Sequence, residues 1–149
     1  MKKLLYIFIL LPIIFTSCGT SKIMMVDGVT NLSEYEYIVF GEGSNGSADL
    51  DEVLFIVRQE ISRTRLKTIS KYEANNLILL GHKVLTPNIN ITSQYWDGGQ
   101  TYITVSFYDY DSGMLLAMIK STGGLGFFVE HDQSIAIDEF CKKLHELLD

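Results

Sequence analysis

Apolar residues are distributed along this chain in two ways. Residues 4–15 form a continuous apolar run broken only by Pro12, whereas from residue 35 onward apolar and polar positions recur with the periods of strands and helices. Residues 35–40, aromatic and β-branched, predict a strand, and the Gly/Ser/Asn stretch 41–48 a loop. Residues 49–66 predict a helix: Asp49 stands as the cap with Glu52 three positions on. Leu50, Val53, Leu54, Val57 and Ile61 share one face, while Arg58, Arg63 and Arg65 lie mostly off it. Residues 67–76 are ambiguous, with a short extended stretch at 68–70. Residues 77–85 predict a central strand ended by Pro87. Residues 86–100 then predict a long polar loop that carries Tyr95, the single tryptophan Trp96 and an Asp-Gly-Gly turn. Residues 101–109 alternate, Ile103, Val105 and Phe107 against Tyr102, Thr104, Ser106 and Tyr108. A turn at 111–113 leads into a partner strand at 114–121. A glycine-rich loop covers 122–126, and from about Asp132 a helix runs to the end with Ile137, Phe140, Cys141, Leu144 and Leu148 inward. The order strand-helix-strand-strand-strand-helix predicts an α+β fold, a two-layer sandwich of a mainly antiparallel sheet with two helices on one face.

The initial apolar run has its own logic. It follows Lys2 and Lys3 and is too short for a comfortable membrane span, which takes about 20 residues. It fits a secretory leader cut after small residues. Phe15-Thr16-Ser17-Cys18 resembles the lipobox of bacterial lipoproteins, with Phe15 where leucine is commoner. The resemblance implies cleavage before Cys18, a diacylglyceryl thioether on its sulfur and a further acyl chain on its amine. The chain then divides into a signal peptide (1–17), a lipidated N-terminus, polar tether (19–22) and lead-in (18–34), and one α+β domain (35–149).

Charge narrows the partners. With 12 basic and 18 acidic residues the net charge is −6, and the leader would remove two lysines. An acidic chain without a basic cluster argues against nucleic acid and against electrostatic adhesion to anionic headgroups. The membrane is expected as a partner only through the lipid. If Cys18 is alkylated, Cys141 has no disulfide partner, and its place on an apolar helix face predicts a buried, inert thiol.

Ala74-Asn75-Asn76-Leu77-Ile78-Leu79-Leu80 and the hairpin from Val105 through Asp109, Asp111 and Gly113 to Leu116 resemble the strand entry and hairpin of small bacterial envelope lipoproteins. That group includes proteins of unknown function and, more distantly, the curli-secretion and lipopolysaccharide-assembly lipoproteins. The resemblance implies a fold and an envelope setting, and no catalytic residue. Because Gly19 is not the aspartate that retains enterobacterial lipoproteins at the inner membrane, it also implies the periplasmic face of the outer membrane.

Candidate chemistry is thin. Gly41-Glu42-Gly43-Ser44-Asn45-Gly46 fits a Gly-x-Gly-x-x-Gly pattern between strand and helix. The helix starts late for a dinucleotide turn, however, and Asp49, Asp51 and Glu52 would repel a pyrophosphate. No cofactor is therefore expected. His82, His131 and His145, expected on a strand, a helix start and a helix surface, lack metal-ligand spacing, and no metal is expected. Asp109 and Asp111 suit a turn, and with Glu130 they are the only acid/base suggestion. Tyr95, Trp96, Phe127 and Phe128 are the candidate interface residues, suited to a partner protein or to headgroup level. The expected role is a non-enzymatic accessory or interaction module of the envelope with an envelope-protein partner. A small-ligand or lipid-binding protein is the alternative, and an envelope hydrolase lacks its reactive pair.

Overall fold

Among the described residues, six strands and three helices build one α+β sheet structure. The computed structural model describes residues 19–41, 48–94, 99–124 and 129–149. In chain order these carry β1 (Gly19–Met25), β2 (Tyr35–Ile38), α1 (Ala48–Ser62), β3 (Lys67–Thr68) and α2 (Lys71–Leu79). Then follow β4 (Lys83–Gln94), β5 (Gln100–Asp109), β6 (Leu115–Gly123) and α3 (Val129–Leu148). The strands lie in the order β1-β6-β5-β4-β2-β3. β1, β6, β5 and β4 are antiparallel neighbours, and β2 runs parallel to both β4 and β3.

Crossover handedness places the helices. From β2 the chain passes through α1 outward to β3; from β3 it returns through α2 across β2 to β4. Both connections join parallel strands and are right-handed by the usual rule. Because they travel in opposite directions, they lay α1 and α2 on opposite faces. Adjacent residues of β4 show the result: Leu85 belongs to the main core with α1 and α3, and Val84 to a second cluster with Ala74 of α2. The main core is filled by Leu50, Val53, Leu54, Val57 and Ile61 of α1 and Phe140, Leu144 and Leu148 of α3. These pack on Ile103, Val105, Phe107 and Ile119 of the sheet. The expected two helices on one face are therefore α1 and α3, and α2 is an addition on the other side.

Several boundaries differ from the sequence expectation. Residues 77–79 are helical, not strand. Ser70 accepts from the Glu73 N–H while Glu73 reaches back to the Ser70 backbone, a capping box that starts α2. At the far end Gly81 takes φ +86°, and its N–H and that of His82 bond the carbonyls of Ile78 and Leu77, which stops the helix. The apolar run is thus split between a half-buried face (Leu77, Ile78) and solvent, with Leu79 and Leu80 85% and 76% exposed.

Pro87 lies inside β4, paired with Phe107, and residues 86–94 are strand where a loop was expected. The Leu85 carbonyl accepts from the Val39 N–H, so Leu85 and alternate residues after it aim their backbone groups toward the β2 side. Pro87 is two positions on, after the last β2 pair, and its missing N–H faces no strand. Thr122 and Gly123 belong to β6, not to a loop, and α3 begins at Val129, before Asp132. Residues 19–22, expected as a tether, are the first part of β1.

Candidate functional site

The N-terminal strand defines the most informative region. Cys18 lies outside the described residues, but Gly19 is already paired with Gly123 of β6. The pairing continues as one cross-strand row, Gly123 with Thr101 and Thr101 with Ser93. α3 packs directly over its start. A Cβ on Gly123 would stand 2.4 Å from both the Ala136 nitrogen and the Asp132 carbonyl oxygen. One on Gly19 would stand 2.6 Å from Ile135 Cγ2. At Gly123 the helix backbone itself leaves no room for a side chain, and at Gly19 the Ile135 and Glu139 side chains of α3 fill the space. Gly19, read from sequence only as a sorting position, thus has a packing reason to be small.

Side chains lock β1 in place. The Ser21 hydroxyl donates to Glu139 Oε2 of α3 at 2.8 Å, and the Thr20 and Thr122 hydroxyls meet at 2.7 Å. Hydrogen bonds from Lys142 and Ser21 hold the Glu139 carboxyl below its ordinary pKa. Gln94, where β4 ends, and Gly124, after β6, lie at this same end of the sheet. The interface candidates Tyr95, Trp96, Phe127 and Phe128 follow them and lie outside the described residues.

On the face of the sheet away from α1 and α3, a groove of about 360 Å³ runs over β1, β6 and β5. Lys22 of β1 and Lys120 of β6 are directly opposite each other there, and both are exposed. Thr20, Thr122, Thr104 and Tyr102 flank them. The sequence alternation of β5 placed Tyr102 and Thr104 on this face. It could not show that Lys22 would come to lie beside Lys120.

The remaining candidates are scattered. His82 lies in the turn between α2 and β4, not on a strand, and meets the Tyr37 ring edge-on at 5.5 Å. His131 is exposed near the start of α3, and His145 Nδ1 lies 2.5 Å from Asp149 Oδ2. No group of three or more metal-ligating side chains converges among the described residues. Asp109 accepts from the Ser112 N–H and hydroxyl at 2.8 Å and from the Tyr35 phenol at 2.9 Å. Burial pushes its carboxyl up, but those bonds outweigh it and hold the pKa below the ordinary value. Asp111 lines a shallow hollow beside Leu79 and Tyr110. Glu130 borders a groove between α1 and α3 with Glu52 and Asp138, at the other end of β5 from Asp109. The acid/base suggestion is therefore not assembled. Cys141 is half-buried, and burial above all, with the charges of Glu60 and Asp138, pushes its thiol up to about 11. Of the glycine motif only Gly41 is described.

No family model matches the chain, and no curated protein matches it. Two structures of PelC are among the solved structures that share its fold. One is a single-substitution variant of the PelC dodecamer from Paraburkholderia phytofirmans, with a TM-score of 0.56 and 13% identity over 88% of this chain and 98% of that one. The other is the PelC dodecamer from the same organism, with a TM-score of 0.54 and 13% identity over 88% of this chain and 99% of PelC. The likeness spans whole domains on both sides and is one of fold.

Proposed function

We propose that this protein is a non-enzymatic lipoprotein of the bacterial envelope, held at the periplasmic face of the outer membrane by acyl chains on Cys18. It acts there by associating with other envelope components, copies of itself among them. The carrying observation is that the fold begins one residue after Cys18: the leader pattern, the thiol and the first strand follow one another without a spacer. Each buried methylene of an acyl chain contributes about 0.8 kcal/mol, and two or more chains anchor a domain without help from the protein surface. Among the described residues no helix is long and apolar enough to cross a membrane. Gln94 and Gly124 share the sheet end with Gly19, the end that acyl chains on Cys18 would hold toward the bilayer. The fold shared with PelC, a dodecamer, supports assembly. Among the described residues the histidines lie on separate elements and Asp109 lies at the other end of β5 from Glu130, which supports a binding role over a reaction.

Intact-mass and N-terminal peptide analysis of the protein from its native membranes tests the anchor. The expected product begins at acylated Cys18, and Cys18→Ser accumulates as unlipidated precursor. A native protein with an unmodified thiol or an intact leader refutes the reading. Cross-linking in detergent extract tests the association, which a strictly monomeric species with no envelope partner refutes.

A further inference from the structure

The Lys22–Lys120 pair is an arrangement that folding does not explain. Like charges directly opposite on neighbouring strands have Cβ atoms about 5 Å apart and destabilise the pair. The chain carries a net charge of −6 and has 18 carboxylate side chains available. Yet no carboxylate lines this groove, and neither lysine is ion-paired among the described residues. Other lysines are paired: Lys83 lies 2.6 Å from Glu34, and Lys142 and Lys143 each reach a glutamate at 2.5 Å. The surroundings of the two bare ammonium groups are also specific. Thr20, Thr122 and Thr104 supply hydroxyls on both sides. Tyr102 lies half-buried in the row next to the lysines, beside its cross-strand partner Thr122.

We infer that this groove binds an acidic saccharide, a glycan segment bearing a carboxylate that sits between Lys22 and Lys120. Two ammonium groups on neighbouring strands can share one carboxylate, and charge-assisted bonds are the strong ones. The Thr104 hydroxyl can bond a sugar hydroxyl, the Thr20 and Thr122 hydroxyls, bonded to each other, can still accept from one, and an aromatic ring offers a flat apolar face for a sugar ring. A broad anionic bilayer fits less well. Two lysines near such a surface contribute only about 1 kcal/mol each, and the acidic remainder of the domain opposes it. A single carboxylate in the groove senses mainly the charges within a screening length of about 8 Å.

Calorimetric titration of the mature, detergent-solubilised protein with trigalacturonate tests this site independently of how the protein is anchored. Binding is expected, weakening as salt rises, with little heat from the neutral trisaccharide maltotriose. Lys22→Gln and Lys120→Gln should each weaken binding about tenfold, the loss of one hydrogen bond to a charged group. Tyr102→Ala should weaken trigalacturonate binding as well. Both lysine variants should melt no lower than the wild type, since each removes a like-charge contact, so lost binding would not be lost folding. The inference is overturned if trigalacturonate does not bind at millimolar concentration or if the lysine variants bind it unchanged. It is equally overturned if the lysines are needed only for inorganic phosphate or phosphatidylglycerol vesicles.

Discussion

Substituting Gly123 by alanine adds one methyl group where the backbone of α3 lies against the sheet. The new Cβ would lie 2.4 Å from the Ala136 nitrogen, 2.4 Å from the Asp132 carbonyl oxygen and 2.8 Å from Ile135 Cβ. Two of these neighbours are helix backbone and cannot rotate away. Ordinary contact begins near 3.4 Å, so the first turns of α3 must retreat by about 1 Å, a gap that forfeits a quarter to a half of each affected dispersion contact. Ala136 and Phe140, both fully buried, stand on the helix face that would lift. Overpacking of this kind costs about 1–3 kcal/mol and occasionally more. The rigidity of the obstructing atoms puts Gly123→Ala near the upper end, a fall in melting temperature on the order of 10 °C for a domain of this size. Urea and thermal melts followed by circular dichroism measure it. Gly41→Ala is the control, since its added Cβ meets nothing within 4 Å among the described residues. A Gly123→Ala protein that melts with the wild type would refute the close approach of α3 to β6.

Three further outcomes follow from individual side chains. The Ser121 hydroxyl is buried without a hydrogen-bond partner among the described residues, so Ser121→Ala should stabilise the domain by about 1 kcal/mol in a urea melt; a loss of stability would reveal a partner. The depressed pKa of Asp109 contributes stability that is complete above the ordinary aspartate pKa of about 3.9 and is lost as pH falls through the lower folded value. Asp109→Asn should flatten that acid limb of the stability profile, and an unchanged limb would show that the carboxylate is not favoured by folding. Cys141, with its thiol raised to about 11, should react far more slowly than a free cysteine with a disulfide reagent at neutral pH; reaction at the rate of a free cysteine would contradict the raised pKa.

The strands and helices that bury one face were legible because burial imposes a period. Ile103, Val105 and Phe107 alternate out of the core-facing side of β5, and Val53, Val57 and Ile61 repeat along α1. What escaped was set by partners distant in sequence. The run 77–80 is apolar without alternation, so its hydrophobicity alone favoured a strand. The deciding signals were local and polar, Ser70 with Glu73 at one end and Gly81 at the other. β1 mixes Gly, Thr, Ser and Lys and carries little apolar content in its first half, so only the β6 partner defines it as a strand. Pro87 reads as a terminator until the early end of β2 removes the neighbour its nitrogen would have faced. The same holds for the candidate site. The expectation for Cys18 rests on a local sequence pattern alone, whereas Lys22 and Lys120 lie far apart along the chain and exist as a pair only through strand register.

The way β1 enters the sheet also determines how the domain bears load. A pull applied at Gly19 along the axis of β1 acts on a strand whose seven residues are all paired in register with β6. Such a force slides the whole ladder lengthwise, so every rung resists together, unlike a pull across the sheet that would open rungs one after another. With the Ser21–Glu139 latch added, β1 is fastened both to its neighbouring strand and to α3.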